Sequence, residues 1–147
     1  MKKKKVLFIC THNSARSQMA EGYLNQRYGK YFEAYSAGTE PTSVHPLAVR
    51  VMEEMEIDIS GHRSKSVSEF LNHHFDLAIT VCDRAKEACP FFPGAKKHIH
   101  AGFPDPAIIE GTEEEKLTAF REVRDQIISW IERNLKPSIF RRTSRWA

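Results

Sequence analysis

The sequence predicts a single α/β domain in which helices flank a parallel sheet of four strands. Two short segments, residues 6–10 and 77–81, are continuously apolar, which is typical of strands that are buried on both faces. Segments with helical periodicity alternate with the strands, and this alternation indicates βαβ units with right-handed crossovers. A chain of 147 residues suits one domain, so we expect residues 1–147 to form it, with a basic tail over residues 138–147.

The first half of the chain alternates strand and helix. Residues 14–28 predict a helix after the first strand, because their apolar side chains recur along one side. Residues 31–37 predict a second strand. A second helix is predicted to begin near Pro46, a residue suited to a first helical turn. Residues 66–72 predict a further short helix before the next strand.

The second half of the chain repeats this order. Residues 77–81 predict a buried strand, and residues 97–100 predict a weaker fourth strand. A loop rich in glycine and proline follows. The last helix is predicted over residues 112–135, where Thr112 and Glu115 match a capping box at its start.

In an open parallel sheet, ligands bind beyond the carboxyl ends of the strands, where loops lead into helices. Three segments are therefore expected to converge at one edge: the loop after Ile9, the loop after Val81 and the loop around Asp105.

Composition and charge exclude several classes of protein. The formal net charge of +3 comes from the chain ends, residues 2–5 and 141–145, because acidic residues outnumber basic ones between them. A nucleic-acid-binding protein is expected to carry its basic stripe on a folded face. The longest apolar run, residues 6–10, is far too short to span a membrane. We therefore predict a cytoplasmic protein with no nucleic-acid or membrane partner, and separately we expect a monomer.

The chain contains three cysteines, Cys10, Cys82 and Cys89. An odd number does not suit the disulfide framework of a secreted protein, and in a reducing compartment a disulfide is catalytic or transient. No four-ligand zinc pattern accompanies these cysteines, so no metal site is predicted.

Residues 10–17 join the end of a buried strand to the start of a helix. Backbone N–H groups are unpaired there and the helix dipole is positive, so this geometry suits a tetrahedral oxyanion. The planar guanidinium of Arg16 adds two donors. The same donors are expected to lower the pKa of Cys10 and make it a nucleophile; the alternative is a small hydrophobic residue at a strand end. The predicted oxyanion-binding residues are Thr11, His12, Asn13, Ser14, Ala15, Arg16 and Ser17.

This loop resembles the CX5RS signature of the low-molecular-weight protein tyrosine phosphatase family. The similarity extends through residues 18–21 and 36–38 and covers nearly the whole chain. It implies a four-stranded parallel sheet with helices on both faces, a Rossmann-like arrangement. It also implies that Asp105, in an Asp-Pro pair, is the general acid of a site formed with Cys10 and Arg16.

Cys82 follows the strand predicted to lie beside the first strand, within a strand spacing of about 5 Å from Cys10. Cys89 would lie about 10.5 Å from Cys82 along a helix, so a disulfide between them requires that helix to unwind. This arrangement resembles thioredoxin-coupled arsenate reductases built on the phosphatase fold. The resemblance implies that Cys10 attacks arsenate, Cys82 attacks Cys10, and Cys89 attacks Cys82 to present a disulfide to thioredoxin.

Two departures from the family pattern refine the prediction. Ala107 stands where the phosphatases carry an aromatic residue, and this favours a small inorganic oxyanion over an aryl ester. Lys65 stands where some arsenate reductases have an acidic residue beside a potassium ion, near residues matched by Asn13, Glu21 and Ser36. We expect the Lys65 ammonium to occupy the place of the cation and to pair with Glu21, so that potassium is not required and no cofactor is tightly bound.

Two other functions are compatible with the same residues. A tyrosine or small-ester phosphatase would use Cys10, Arg16 and Asp105 without Cys82 or Cys89, and residual phosphatase activity is expected even in a reductase. A non-catalytic oxyanion-binding protein would bind without turnover.

Overall fold

The computed structural model describes residues 2–82 and 92–136, and these residues form four strands and three helices. The strands are β1 (Lys4–Cys10), β2 (Phe32–Gly38), β3 (Phe75–Thr80) and β4 (Ala95–His100). The helices are α1 (Arg16–Tyr28), α2 (Pro46–Glu53) and α3 (Glu113–Asn134). Two short 3-10 turns cover Val67–Phe70 and Pro106–Ile108.

The four strands form one parallel sheet in the order β2-β1-β3-β4, which confirms the predicted fold class. In register, Cys10 lies beside Gly38 and Ile9 lies beside Thr80, which in turn pairs with His100. The carboxyl ends of the strands therefore meet at one edge of the sheet, where the loops that lead into the helices converge.

The hydrophobic core is centred on β1. From Val6 to Cys10 its residues are at most 2% exposed, as the continuous apolar run predicts for a central strand. Helix α1 packs on β1 and β2, while α3 packs against α1 and α2. Glu132 of α3 accepts hydrogen bonds from Tyr23 (2.5 Å) and Tyr28 (2.7 Å) of α1, which joins the two helices at their partly buried contact.

The structure differs from the sequence prediction at several element boundaries. Helix α1 begins at Arg16 rather than at residue 14, because Ala15 has φ −124° and ψ −70°, outside the helical region. The helix predicted over residues 66–72 is a single 3-10 turn, Val67–Phe70. Strand β4 begins two residues before the predicted position. The capping box of Thr112 and Glu115 is formed as predicted.

The basic tail predicted over residues 138–147 lies outside the described residues. No helix in the described ranges is both long enough and apolar enough to cross a membrane.

Candidate active site

The loop after β1 connects Cys10 to helix α1 and is anchored from outside by residues 39–45. Backbone N–H groups of that segment donate to the carbonyl oxygens of Cys10, Thr11, His12 and Ser14, with N···O distances between 2.7 and 3.2 Å. The ring of His12 adds a contact of 3.1 Å between its Nδ1 and the carbonyl oxygen of Glu40. These contacts fix the path of the predicted oxyanion loop where it enters α1.

The loop is also tightly packed against β2. Asn13 adopts a left-handed conformation (φ 50°), which asparagine tolerates better than most residues. Gly38 lies against this turn, and a Cβ at position 38 would come within 2.9 Å of the Asn13 nitrogen and 2.7 Å of the Thr11 carbonyl oxygen. Glycine is therefore required at position 38 to let strand and loop approach.

Arg16 and Asp105 meet at the mouth of the loop, as the sequence predicts. The Arg16 side chain is nearly buried, and its guanidinium donates to the carbonyl oxygen of Phe103 at 3.0 Å. Another guanidinium nitrogen lies 3.7 Å from Oδ2 of Asp105, while Oδ1 accepts from the backbone N–H of Ala107 at 2.9 Å. A carboxyl group and a buried positive charge thus face the end of α1 where an oxyanion would sit.

Cys10 and Cys82 are both buried thiols at this edge of the sheet, 2% and 4% exposed. They lie near each other because β1 and the chain after β3 run side by side, with the Val81 N–H bonded to the Ile9 carbonyl oxygen at 2.9 Å. The Thr11 hydroxyl lies 3.2 Å from Sγ of Cys82. The structure therefore brings the first two predicted redox cysteines together, whereas Cys89 lies outside the described residues.

The predicted lowering of the Cys10 pKa is wrong for this arrangement of the thiols. The hydrogen bond with Cys82 and the burial of the thiol raise the pKa of Cys10, and they outweigh the Arg16 charge and the backbone N–H of Ser17, which lower it. The prediction rested on the donors around the sulfur and left out the effects of burial and of the neighbouring Cys82 thiol on its pKa.

The residues expected to replace a potassium site also come together. Nζ of Lys65 lies 3.9 Å from Oε1 of Glu21 and donates to the carbonyl oxygen of Arg63 at 2.9 Å. The Ser36 hydroxyl donates to the same Glu21 oxygen. Burial lowers the pKa of Lys65, and Glu21 partly opposes this effect. The described residues contain no cluster of three or more His, Cys, Asp or Glu side chains that could hold a metal ion.

Two side chains of the site have contacts that the sequence analysis did not assign. Thr11 was predicted to bind the oxyanion, and its hydroxyl in addition contacts Cys82. Gln18 was noted only as part of the family similarity, yet it is fully buried beneath the loop. The signal for Gln18 was available: a polar side chain lies between Ser17 and Met19 at the start of a helix whose first turns are buried.

Comparison with known proteins agrees with this geometry. Residues 5–139 match the model of a family described as low molecular weight phosphotyrosine protein phosphatase. The chain is 47% identical to an arsenate reductase of Halalkalibacterium halodurans, over 86% of this chain and 91% of that protein. It is also 47% identical to an arsenate reductase of Bacillus licheniformis, over 90% of this chain and 96% of that protein.

Solved structures give the same result. A structure described as an arsenate reductase in the phosphate binding state superposes with a TM-score of 0.76 at 34% identity, covering 88% of this chain and 95% of that chain. A low molecular weight protein tyrosine phosphatase from T. tengcongensis superposes with a TM-score of 0.67 at 30% identity, covering 89% of this chain and 99% of the other. The chain therefore belongs to the low molecular weight phosphotyrosine protein phosphatase family, within the group of its members that are named arsenate reductases.

Proposed function

We propose that this chain reduces arsenate to arsenite, with its cysteines as the immediate source of electrons. The observation that carries the proposal is the proximity of two buried thiols, Cys10 and Cys82, at the edge of the sheet where Arg16 and Asp105 also meet. A phosphatase needs only one of these thiols. A two-electron reduction of arsenate requires two thiols, which are oxidised to a disulfide, and Cys82 supplies the second thiol near the nucleophile.

In the first step, the Cys10 sulfur attacks arsenic and a hydroxyl group of arsenate leaves as water. The proton on the thiol and the departing hydroxyl balance this water, and in this scheme Asp105, 3.7 Å from Arg16, delivers the proton. The product is a covalent Cys10 thiol-arsenate adduct. The Arg16 guanidinium and the loop N–H groups stabilise the oxyanion during the displacement.

In the second step, the Cys82 sulfur attacks the Cys10 sulfur. A Cys10–Cys82 disulfide forms, the S–As bond breaks, and its electron pair remains on arsenic, which leaves as arsenite. The Thr11 hydroxyl, 3.2 Å from Sγ of Cys82, is placed to donate a hydrogen bond to the attacking thiolate. Because both cysteines are buried at the same edge of the sheet, we expect this step to require little rearrangement of the described residues.

In the third step, we propose that Cys89 attacks Cys82, releases Cys10 as a thiol and forms a Cys82–Cys89 disulfide. The dithiol of thioredoxin then reduces that disulfide and is itself oxidised. Support for this step comes from the sequence resemblance and from a structural neighbour. That neighbour, described as a thioredoxin-dependent arsenate reductase of Corynebacterium glutamicum, superposes with a TM-score of 0.64 at 29% identity, covering 88% of this chain and 61% of that chain. Such a cycle suits a reducing compartment such as the cytoplasm.

The test is arsenate-dependent oxidation of NADPH in an assay with thioredoxin and thioredoxin reductase. Wild-type protein is expected to turn over, while Cys10→Ser, Cys82→Ser and Cys89→Ser should each abolish turnover. Full activity of the Cys89 variant would remove the third step, and no turnover of the wild type would overturn the reductase assignment.

A second candidate function, hydrolysis of phosphate monoesters, is favoured by the Cys10, Arg16 and Asp105 set. In that case Cys82→Ser should leave hydrolysis of p-nitrophenyl phosphate intact. We expect hydrolysis to survive in this variant even though arsenate reduction is lost, because Cys82 takes no part in the attack on phosphorus. Loss of both activities in Cys82→Ser would show that Cys82 supports the site as a whole.

We also propose that Lys65 makes the enzyme independent of potassium. Its ammonium group lies against Glu21 and a backbone carbonyl, the type of oxygen ligands that a monovalent cation would otherwise contact. Wild-type turnover is expected to be the same in potassium and in choline salts. The Lys65→Asp variant should lose activity in choline and regain it with potassium. Stimulation of the wild-type enzyme by potassium would refute the proposal.

A further inference from the structure

A buried amide network lies beneath the oxyanion loop and is centred on Gln18. The side chain of Gln18 has no measurable exposure. Its Nε2 lies 3.0 Å from Oδ1 of Asn13, 3.2 Å from the Asn13 carbonyl oxygen and 3.0 Å from the Arg63 carbonyl oxygen. One amide group therefore ties the turn of the loop to the segment before the 3-10 turn at Val67–Phe70.

The three oxygen partners of Nε2 determine the orientation of this amide, and His62 contacts its other end. Nδ1 of His62 lies 2.9 Å from Oε1 of Gln18. Since an amide oxygen only accepts hydrogen bonds, Nδ1 must carry the proton and donate it. The Gln18 oxygen therefore points toward His62, and its NH2 group points toward the two oxygens of Asn13 and the carbonyl oxygen of Arg63. A reversed amide would place an oxygen against those acceptors.

The network continues from Asn13 to the nucleophile. Nδ2 of Asn13 donates to the Ser17 hydroxyl at 2.8 Å, and Oδ1 of Asn13 also accepts from the backbone N–H of Lys65 at 2.9 Å. The backbone N–H of Ser17 in turn acts on the nucleophile, because it lowers the pKa of Cys10 and opposes the effect of burial. Asn13 is held in a left-handed conformation, which persists only where surrounding contacts determine it.

We infer that Gln18 is a positioning residue for the reaction: it holds Asn13 in its left-handed turn and so sets the loop N–H groups that receive the oxyanion and face Cys10. Gln18 contacts neither arsenic nor sulfur in this scheme. Its effect passes through Asn13 to Ser17, and His62 keeps the amide in the required orientation. The inference rests on the proposed function only in taking arsenate as the oxyanion that reacts. The effect of Gln18 on anion binding by the loop does not depend on that choice.

The test measures anion binding without turnover. Inorganic phosphate should protect Cys10 from alkylation by iodoacetamide, and the phosphate concentration for half-protection reports the affinity of the loop. Mass spectrometry identifies the alkylated cysteine, and thermal unfolding is measured for each protein. The variants are Gln18→Leu, which removes the amide, and Gln18→Glu, which keeps its size and shape but replaces the donor by an acceptor.

A matched control is Asn25→Leu. Asn25 is another amide of α1 that makes two hydrogen bonds, to the carbonyl oxygen and N–H of Ala34. It lies seven residues beyond Gln18, about 10 Å along the helix axis. Its loss should affect the attachment of α1 to β2 but not the oxyanion loop.

We expect both Gln18 variants to need about tenfold more phosphate, or more, for half-protection, because small displacements of positioning groups are costly. Asn25→Leu should stay within about twofold of wild type. If Gln18→Leu does not fold, Gln18→Glu decides the outcome. Wild-type protection in Gln18→Glu, or an equal loss in Asn25→Leu, would overturn the inference. Arsenate turnover measured in parallel separates the two claims: weaker protection in the Gln18 variants supports the positioning role even if the wild type proves not to be a reductase.

Discussion

Replacing Thr11 by valine should slow the formation of the Cys10–Cys82 disulfide without affecting the first attack on the oxyanion. Valine keeps the shape of threonine but removes the hydroxyl that lies 3.2 Å from Sγ of Cys82. Both residues are buried, so water does not replace the lost donor. The variant therefore tests whether this contact serves the second thiol.

The magnitude follows from the strength of a hydrogen bond to a charged group, about 1.5–3 kcal/mol. Loss of that stabilisation lowers the thiolate population of Cys82 about 10- to 100-fold. A less stabilised thiolate is intrinsically more nucleophilic, with a Brønsted coefficient of about 0.4–0.5, and this offsets nearly half of the effect. The net expectation is a decrease of about 4- to 15-fold in the rate of disulfide formation.

The assay is a single turnover with enzyme in excess over arsenate, quenched in acid and analysed for arsenite and for the Cys10–Cys82 disulfide. Hydrolysis of p-nitrophenyl phosphate by the same preparation reports the first attack alone. Thr11→Ser retains a hydroxyl and should behave nearly as wild type. A Thr11→Val enzyme that forms the disulfide at the wild-type rate, or that loses hydrolysis to the same extent, would refute the reasoning.

Three further predictions concern other parts of the molecule. Cys82→Ala should accelerate alkylation of Cys10 by iodoacetamide at pH 7. Interaction with Cys82 is the main cause of the raised Cys10 pKa, so its removal increases the thiolate fraction. An unchanged or slower rate would contradict this. Ala107→Tyr should raise kcat/KM for p-nitrophenyl phosphate about fivefold, because contact between two aromatic rings contributes about 1 kcal/mol. Hydrolysis of a small alkyl phosphate should stay unchanged, and equal gains for both esters would argue against a ring contact. Burial raises the pKa of Glu132, but hydrogen bonds from Tyr23 and Tyr28 lower it by more, so its pKa in the folded protein is below the unfolded value of 4.5. The stability that Glu132 contributes is therefore present above pH 4.5 and is lost as the pH falls through the lower folded pKa. Urea unfolding should therefore show a difference in the free energy of unfolding between wild type and Glu132→Gln at neutral pH that narrows below about pH 4.5. A difference that does not change with pH would contradict a stabilising role of the Glu132 carboxylate.

The fold and the position of the site could be predicted because they depend on local patterns. A continuous apolar run predicts a central strand, and parallel strands bring their carboxyl ends together whatever the details of packing. That is why Cys10, Cys82 and Asp105 were expected at one edge, and why the structure places them there.

The remaining features depend on contacts between segments that are distant in sequence. The direction of the Cys10 pKa depends on a hydrogen bond with a residue 72 positions away and on burial, neither of which a loop motif contains. The role of Gln18 depends on Arg63 and His62, whose approach to α1 no periodicity predicts. Residues 67–70 form a 3-10 turn in place of the predicted helix, and the Ser66 hydroxyl accepts a hydrogen bond from the backbone N–H of Ser68 at its start.

Strand β4 has one consequence for solubility. It is the outermost strand beyond β3, so one side of its backbone has no partner strand in the described sheet. Lys96 and Lys97 lie in its exposed middle, and Nζ of Lys96 lies 3.5 Å from Oδ1 of Asp76 in β3. Because positive charges on an outer strand repel the same strand of a neighbouring molecule, they discourage aggregation by strand addition. The lysines that make this strand hard to recognise in the sequence thus help to keep separate molecules apart at high concentration.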